Sequence, residues 1–407
     1  MKKIILIICD GMGDLPVEGF GGKTPLEAAS TPNMDRLARN GATGIIHVLG
    51  KGVRPNSDEA HLTLFGYEKK KHPERGPIEA AGLGIKLEHG DIAIRSNLAS
   101  VDKELRVKDR RTGRIGDTTP FVRELDGMVI DGVKFIVRPG TGHRVSIVMR
   151  GKNLSNRISN SDVHYVSDTK VVEDWLDHKV NTIKPLDNTK EAEFTARVLQ
   201  KFLERSHEIF EKNQLNDERE KQGKPRGNYL VTRYPGHYKK LEPFEEKYNL
   251  RACCIAGAGL YKGLGSISGM ELIDVKGATG LPDTDVQAKI KAAKEQLGKY
   301  DFVFVHIKPT DIYGENGDCK GKKDFIEKID KAIDSLDKED AVIVITADHS
   351  TPCSHKDHSG DPVPLLVYGR NIEADNVDRF GEKECRKGAL GELLGKDFME
   401  RILELSR

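Results

Sequence analysis

Residues 3–14 read KIILIICDGMGD, an apolar run from Ile4 to Cys9 that ends at Asp10 and a Gly-Met-Gly turn. A strand buried on both faces shows continuous rather than alternating hydrophobicity, so Lys3–Cys9 is expected at the centre of a parallel sheet. The ending recurs downstream. Phe302–Ile307 runs into Lys308-Pro309-Thr310-Asp311, and Ala341–Ala347 runs into Asp348-His349-Ser350. Between these strands lie helical patterns over Thr31–Asn40, Asp283–Leu297 and Lys323–Leu336. A short strand, Pro364–Tyr368, and a closing helix, Ala389–Leu405, follow. Thr31 is a candidate N-cap, Pro32 takes the first helical position and Gly41 lies just past the end. Strands alternating with helices of this length predict an α/β fold with a doubly wound, mostly parallel sheet.

The middle of the chain departs from that rhythm. Short alternating strands such as Val133–Arg138 and Val145–Arg150 are followed by a long amphipathic helix, Glu191–Asn213. The charged stretch NDEREKQGKPRGN, 216–228, reads as an exposed loop, and Asn228–Thr232 and Ala252–Ala256 return to strand character. The expected organisation is a discontinuous core, residues 1–75 and 226–407, split by a smaller inserted α+β domain at 76–225.

The 407 residues carry 65 basic and 64 acidic side chains, a formal charge of +1. That balance argues against a nucleic-acid partner bound through a broad basic face. No run approaches the roughly 18 apolar residues that cross a bilayer. Lys2-Lys3 with six apolar residues falls short of the roughly 7–15 of a secretion signal, so no membrane role is expected. Six scattered cysteines without a CxxC pair read as reduced thiols of a cytoplasmic protein.

In an open parallel sheet, ligands bind outside the carboxyl ends of the strands. Asp10, Asp311, Asp348 and His349 would meet there. One aspartate after a strand is ordinarily a cap or turn residue; three in one sheet, one beside a histidine, point to metal. Glu315, His355 and His358 lie close by in sequence. Mixed carboxylate and imidazole donors suit a divalent first-row ion such as Mn or Zn, and so many donors suit two ions, which can clamp both oxygens of a phosphoryl transfer. Ser57, in PNSDEAH after a Pro-Asn turn, is a nucleophile candidate at a helix start. Taken alone it reads as well as a capping serine.

IICDGMGDLP, GKTPLEAASTPNMDRLA, PNSDEAHLTLFGY, GPIEAAGLGI, IRSNLASVD, RRTGRI, PGTGHRVSIVMRG, LYKGLGSISGM and TADHSTPCSHKDHSGDPVPLL span most of the chain. In this order they resemble the alkaline phosphatase superfamily, and within it the archaeal-type cofactor-independent (2,3-bisphosphoglycerate-independent) phosphoglycerate mutases. The resemblance implies an alkaline-phosphatase-like core, two divalent metal ions and a transiently phosphorylated serine, with no bisphosphoglycerate cofactor. Asp10, Ser57, Asp348 and His349 fall on the residues of one metal, and Asp311 and His358 on those of the other. At the second site the family's histidine is replaced by Glu315, which favours Mn or Mg over Zn.

A phosphoglycerate substrate, with its phosphate and carboxylate, calls for several guanidinium groups. Arg95 with Asn97, His143 with Arg144, and Arg233 are the chosen candidates, with Arg110, Arg111 and Arg114 behind them. Lys262 is expected as a charge stabiliser or proton donor at the leaving oxygen. His47 and His61 are expected to be structural, and Trp175 to be a core residue of the insert. The expected activity is interconversion of 3- and 2-phosphoglycerate in glycolysis and gluconeogenesis. The alternatives are a phosphatase or another phosphomutase on the same scaffold, and, because of Glu315, a non-catalytic metal-binding relative.

Overall fold

The computed structural model describes residues 3–164 and 175–407. They form two compact units, Met1–His72 with Leu241–Arg407, and Pro73–Lys240. In chain order the strands are β1 (Lys3–Cys9), β2 (Ala42–His47), β3 (Ile92–Val101), β4 (Val107–Asp109), β5 (Val129–Ile130), β6 (Val133–Pro139), β7 (Arg144–Arg150), β8 (Tyr229–His237), β9 (Ala252–Ile255), β10 (Glu271–Leu272), β11 (Phe302–Ile307), β12 (Ala341–Thr346), β13 (Val363–Tyr368) and β14 (Gly391–Leu394).

The first unit holds a mixed, mostly parallel eight-stranded sheet in the order β10-β9-β11-β1-β12-β13-β2-β14. Strand β13 runs antiparallel to both of its neighbours, and the other pairings are parallel. Ile4 to Cys9 are buried, as are all of β11 and β12. Each fully buried aliphatic side chain stabilises the unit by roughly 1.5–3 kcal/mol. In register, Ile8 faces His306 of β11 on one side and Thr346 of β12 on the other. The three strands therefore end together at the carboxyl edge of the sheet, about 4.8 Å apart.

The second unit is a six-stranded antiparallel sheet, β4-β3-β7-β6-β5, with β8 also paired to β3. Its core closes under the helix Lys190–Glu211, where Phe135 and Phe202 stack with ring centroids 4.0 Å apart. Trp175 packs partly buried against this core, beneath the Arg110 guanidinium. Its neighbours Glu173 and Asp174 lie outside the described residues.

Several local expectations are corrected. The charged stretch from 216 opens inside a helix, Gln214–Lys221, because Asn213 accepts a hydrogen bond from Leu215 N and Asn216 is buried, holding Gly227 N and the carbonyls of Phe210 and Gly227. Strand β8 pairs along β3, so the segment placed with the core lies in the second unit. The closing helix starts only at Gly395. Gly391–Leu394 extends the core sheet along β2, which the sequence reading did not pick out as a strand. The helix expected over Lys323–Leu336 spans Cys319–Ala332, because the Asp318 carboxylate caps it at Gly321 N.

Candidate metal centre

The edge of the core sheet gathers the side chains that matter. Asp10 follows β1 directly, Asp348 and His349 follow β12, and Asp311 lies in the first turn of the helix Pro309–Glu315 after β11. Ser57 is the first residue of the helix Ser57–Leu64, with Asn56 at the cap position making no side-chain cap. Asp10, Asp311, Asp348 and His349 are fully buried, and Ser57 is nearly so.

Two groups of donors form, sharing His349: Asp10, Asp348 and His349, and Asp311, His349 and His358. In the first, His349 Nε2 lies 3.4 Å from Asp10 Oδ1, 3.3 Å from Asp348 Oδ2 and 3.4 Å from Ser57 Oγ. In the second, His358 Nε2 lies 3.5 Å from Asp311 Oδ1, and the His349 and His358 rings stack with centroids 3.6 Å apart. His358 Nδ1 sits 2.9 Å from the Pro55 carbonyl. A carbonyl only accepts, so Nδ1 carries a proton, and Nε2 is the nitrogen that faces the cluster.

Electrostatically the pocket is short of positive charge. Three carboxylates are buried together, and the lysine among them is Lys308, whose ammonium pairs with Asp311 Oδ2 and lies 3.3 Å from Asp10 Oδ2. Burial opposes the Lys308 charge, yet Asp10 and Asp311 hold its pKa well above the lysine range. Burial also opposes ionisation of Asp10, but Lys308 and the hydrogen bond from His306 Nε2, 3.0 Å long, keep its carboxyl well below the usual range. Asp348 is pushed far up by burial and by the Asp10 charge. Asp10 Oδ1 and Asp348 Oδ2 are buried without a hydrogen-bond donor. Unsatisfied carboxylate oxygens facing an imidazole lone pair and a hydroxyl are what a divalent cation completes. The residues therefore fit such ions.

Three contributors escaped the sequence reading. Lys308 was legible only as the first residue after a strand. His306 precedes it inside β11, donates to Asp10 and stacks on Tyr261 with centroids 3.4 Å apart. His61, expected to be merely structural, donates from Nδ1 to the Ser57 carbonyl at 2.7 Å and stands 3.4 Å from Asp348 Oδ2. Burial lowers its pKa to about 4, so it is neutral.

Other expected residues lie apart from the two groups. Lys262 pairs with the exposed Asp274 at 2.8 Å. Glu315 joins neither three-residue group; the residue as a whole is exposed, but its carboxyl end is partly buried, and that burial with the Asp311 charge raises its pKa. His355 is exposed, and His47 pairs with Glu392 at 3.2 Å.

Within the second unit the arginines do gather. Arg95 on β3 is directly opposite Arg233 on β8, and Asn97 is opposite Arg144 on β7. Arg95 Nε holds Glu79 at 2.7 Å, while Arg233 reaches Asp162 at 2.9 Å and Asn97 Oδ1 at 3.2 Å. Burial, with Arg75, Arg233 and Arg144 nearby, lowers the Arg95 pKa to about 10 in spite of Glu79. Burial and then Arg144, Arg111 and Arg233 take His143 to about 4. Such a concentration of cationic groups suits a small polyanion.

The Metalloenzyme superfamily model matches residues 2–405, which makes the chain a metalloenzyme of that class. It is 41% identical to the 2,3-bisphosphoglycerate-independent phosphoglycerate mutase 1 of Methanocaldococcus jannaschii, over 99% of this chain and 97% of the relative. It is 42% identical to the corresponding mutase of Methanococcus vannielii, over 100% and 98%. Among solved structures, the cofactor-independent phosphoglycerate mutase of Thermoplasma acidophilum matches with a TM-score of 0.73 and 31% identity over the whole of both chains. A Pyrococcus horikoshii protein matches with a TM-score of 0.81 and 34% identity, over 100% of this chain and 97% of that one. The chain belongs to the archaeal-type 2,3-bisphosphoglycerate-independent phosphoglycerate mutases. Among the described residues no helix is long and apolar enough to cross a membrane.

Proposed function

We propose that the chain interconverts 3-phosphoglycerate and 2-phosphoglycerate through a phosphoserine at Ser57. The observation that carries this reading is the convergence of Ser57 Oγ, His349 Nε2 and the two unsatisfied oxygens of Asp10 and Asp348. Two divalent cations, Mn in preference to Mg or Zn, held by Asp10, Ser57, Asp348 and His349 and by Asp311, His358 and Glu315, would lower the pKa of the serine hydroxyl and neutralise phosphoryl charge.

The chain's own groups do the rest. Ser57 loses its hydroxyl proton to solvent, its Oγ bonds to the substrate phosphorus, and the ester bond to the glycerate oxygen breaks, that oxygen taking up a proton. The helix that begins at Ser57 has no side-chain cap, so its first N–H groups face the incoming phosphoryl with the favourable end of the helix dipole. Lys308 contributes a fixed positive charge beside Asp10 and Asp311. Arg95, Asn97, His143, Arg144 and Arg233 bind the anionic substrate, with the arginines suited to bidentate contact with carboxylate. Lys262 would have to leave Asp274 to protonate the departing oxygen. Glycerate then takes the phosphoryl group back on its other hydroxyl, and exclusion of water keeps the reaction a mutase rather than a hydrolase.

An enolase-coupled assay on 3-phosphoglycerate, with the chelated protein resupplied with Mn²⁺ and no bisphosphoglycerate added, tests the reading. Activity should return with the metal alone. Full activity after exhaustive chelation, a strict need for bisphosphoglycerate, or release of glycerate and inorganic phosphate as the main products would overturn it.

A further inference from the structure

Thr351, two residues beyond His349, is buried, and its hydroxyl touches both donor groups at once. Its Oγ1 lies 2.6 Å from Asp311 Oδ1 and 3.0 Å from His349 Nδ1. Asp311 is ion-paired with Lys308, and its Oδ1 accepts from the Thr351 hydroxyl. The single hydroxyl proton of Thr351 must therefore go to Asp311. That leaves the hydroxyl as acceptor toward His349, so His349 Nδ1 must carry the ring proton. Nε2, the nitrogen facing Asp10, Asp348 and Ser57, is then the lone pair.

The position of Thr351 is itself fixed. Its N–H donates to the Gly13 carbonyl at 3.0 Å, and its carbonyl accepts from Lys322 Nζ at 2.9 Å. Lys322 is fully buried and also donates to the Gly13 carbonyl at 3.0 Å and to Asp14 Oδ2 at 2.7 Å. Gly11, at φ +60°, leaves room for the contact: a Cβ there would fall on the Thr351 hydroxyl and 2.7 Å from Asp311 Oδ1. One buried hydroxyl thus ties the loop after β12 to the helix after β11, across the loop after β1.

We infer that Thr351 is a positioning residue that sets the tautomer of His349 and couples the two donor groups, so that each group is presented to its cation ready to bind. The inference rests on the reading that these groups hold divalent cations. Outer hydrogen bonds of this kind typically change metal affinity by 10–100-fold.

The test compares wild type, Thr351→Val, which keeps the shape and loses the hydroxyl, and Thr351→Ser, which restores it. Histidine ring nitrogens are followed by long-range ¹H–¹⁵N NMR in metal-free protein, and Mn²⁺ affinity is measured by calorimetry. His349 should be the Nδ1–H tautomer in wild type and Thr351→Ser, and should shift toward Nε2–H in Thr351→Val. Thr351→Val should bind Mn²⁺ at least about tenfold more weakly, while Thr351→Ser stays within about threefold of wild type. An Nε2–H tautomer in wild-type protein overturns the inference even if Thr351→Val does not fold. So does Thr351→Val that keeps wild-type tautomer and affinity, or Thr351→Ser as impaired as Thr351→Val. Absence of Mn²⁺ binding by wild type would instead count against the metal reading, and the tautomer measurement would still judge Thr351.

Discussion

Removing the ammonium of Lys322 should cost the first unit more stability than any surface substitution. Lys322 is fully buried and Asp14 is 5% exposed. All three ammonium hydrogens are used, on Gly13 O, Asp14 Oδ2 and Thr351 O. The Asp14 carboxylate also accepts from Leu15 N at 2.8 Å and from Cys353 N at 3.2 Å. Taking one partner from a buried ion pair leaves an uncompensated charge and typically costs about 3–5 kcal/mol. At about 2–4 °C per kcal/mol for domains of 150–250 residues, Lys322→Met should lower Tm by roughly 6–20 °C. The double variant Asp14→Leu/Lys322→Met removes both charges and should recover most of the loss. It would stay about 1–3 kcal/mol below wild type, because the Gly13 and Thr351 carbonyls and Cys353 N lose partners. Calorimetry and guanidinium unfolding of the four proteins of this double-mutant cycle give the coupling. A loss below about 1 kcal/mol for Lys322→Met, or a double variant as unstable as the two single losses added together, would refute the reasoning.

Ser57→Ala should reduce mutase activity to a small fraction of wild type while unfolding and Mn²⁺ stoichiometry change little, as activity and binding assays will show. Glu315→His should move metal preference from Mn toward Zn and keep substantial activity, whereas Glu315→Ala should lower the rate by about an order of magnitude or more. Wild-type behaviour of Glu315→Ala in rate and metal content would remove Glu315 as a ligand. Lys289 is buried, its ammonium donating to the carbonyls of Thr279 and His306 at 3.3 and 3.0 Å, and burial lowers its pKa to about 8. Between pH 8 and about 10.4 the unfolded chain holds this proton and the native chain does not, so this group's contribution to stability rises with pH, by up to about 3 kcal/mol. Guanidinium midpoints at pH 7.5 and 10 should therefore separate wild type from Lys289→Met by an amount that changes in favour of wild type at the higher pH.

The core strands were legible because β1, β11 and β12 are buried on both faces and so carry uninterrupted apolar runs. Their ends pointed to Asp10, Asp311, Asp348 and His349 for the same reason. Strand β2, ATGIIH, was not, since Thr43 and Gly44 interrupt its apolar residues and give neither a continuous nor an alternating signal. The helix Gln214–Lys221 is nearly all polar, and the capping by Asn213 and buried contacts of Asn216 that form it are tertiary facts. Lys308, His306, His61 and Thr351 were invisible as site residues because their roles depend on which atom of a neighbouring loop each one meets. Glu315 shows the limit of spacing: one helical turn from Asp311, its carboxyl has its pKa raised by burial and by the Asp311 charge, yet it lies outside both three-residue groups, so the variants above decide whether it is a ligand.

The claim on which the account turns is that the edge of the core sheet holds two divalent cations. Crystals of the protein grown with Mn²⁺, with data collected at the manganese absorption edge, test it directly. The account predicts two anomalous peaks per chain, one among Asp10, Ser57, Asp348 and His349 and one beside Asp311 and His358. A single peak, or peaks bound by other residues while those carboxylates remain paired only with Lys308, would contradict it.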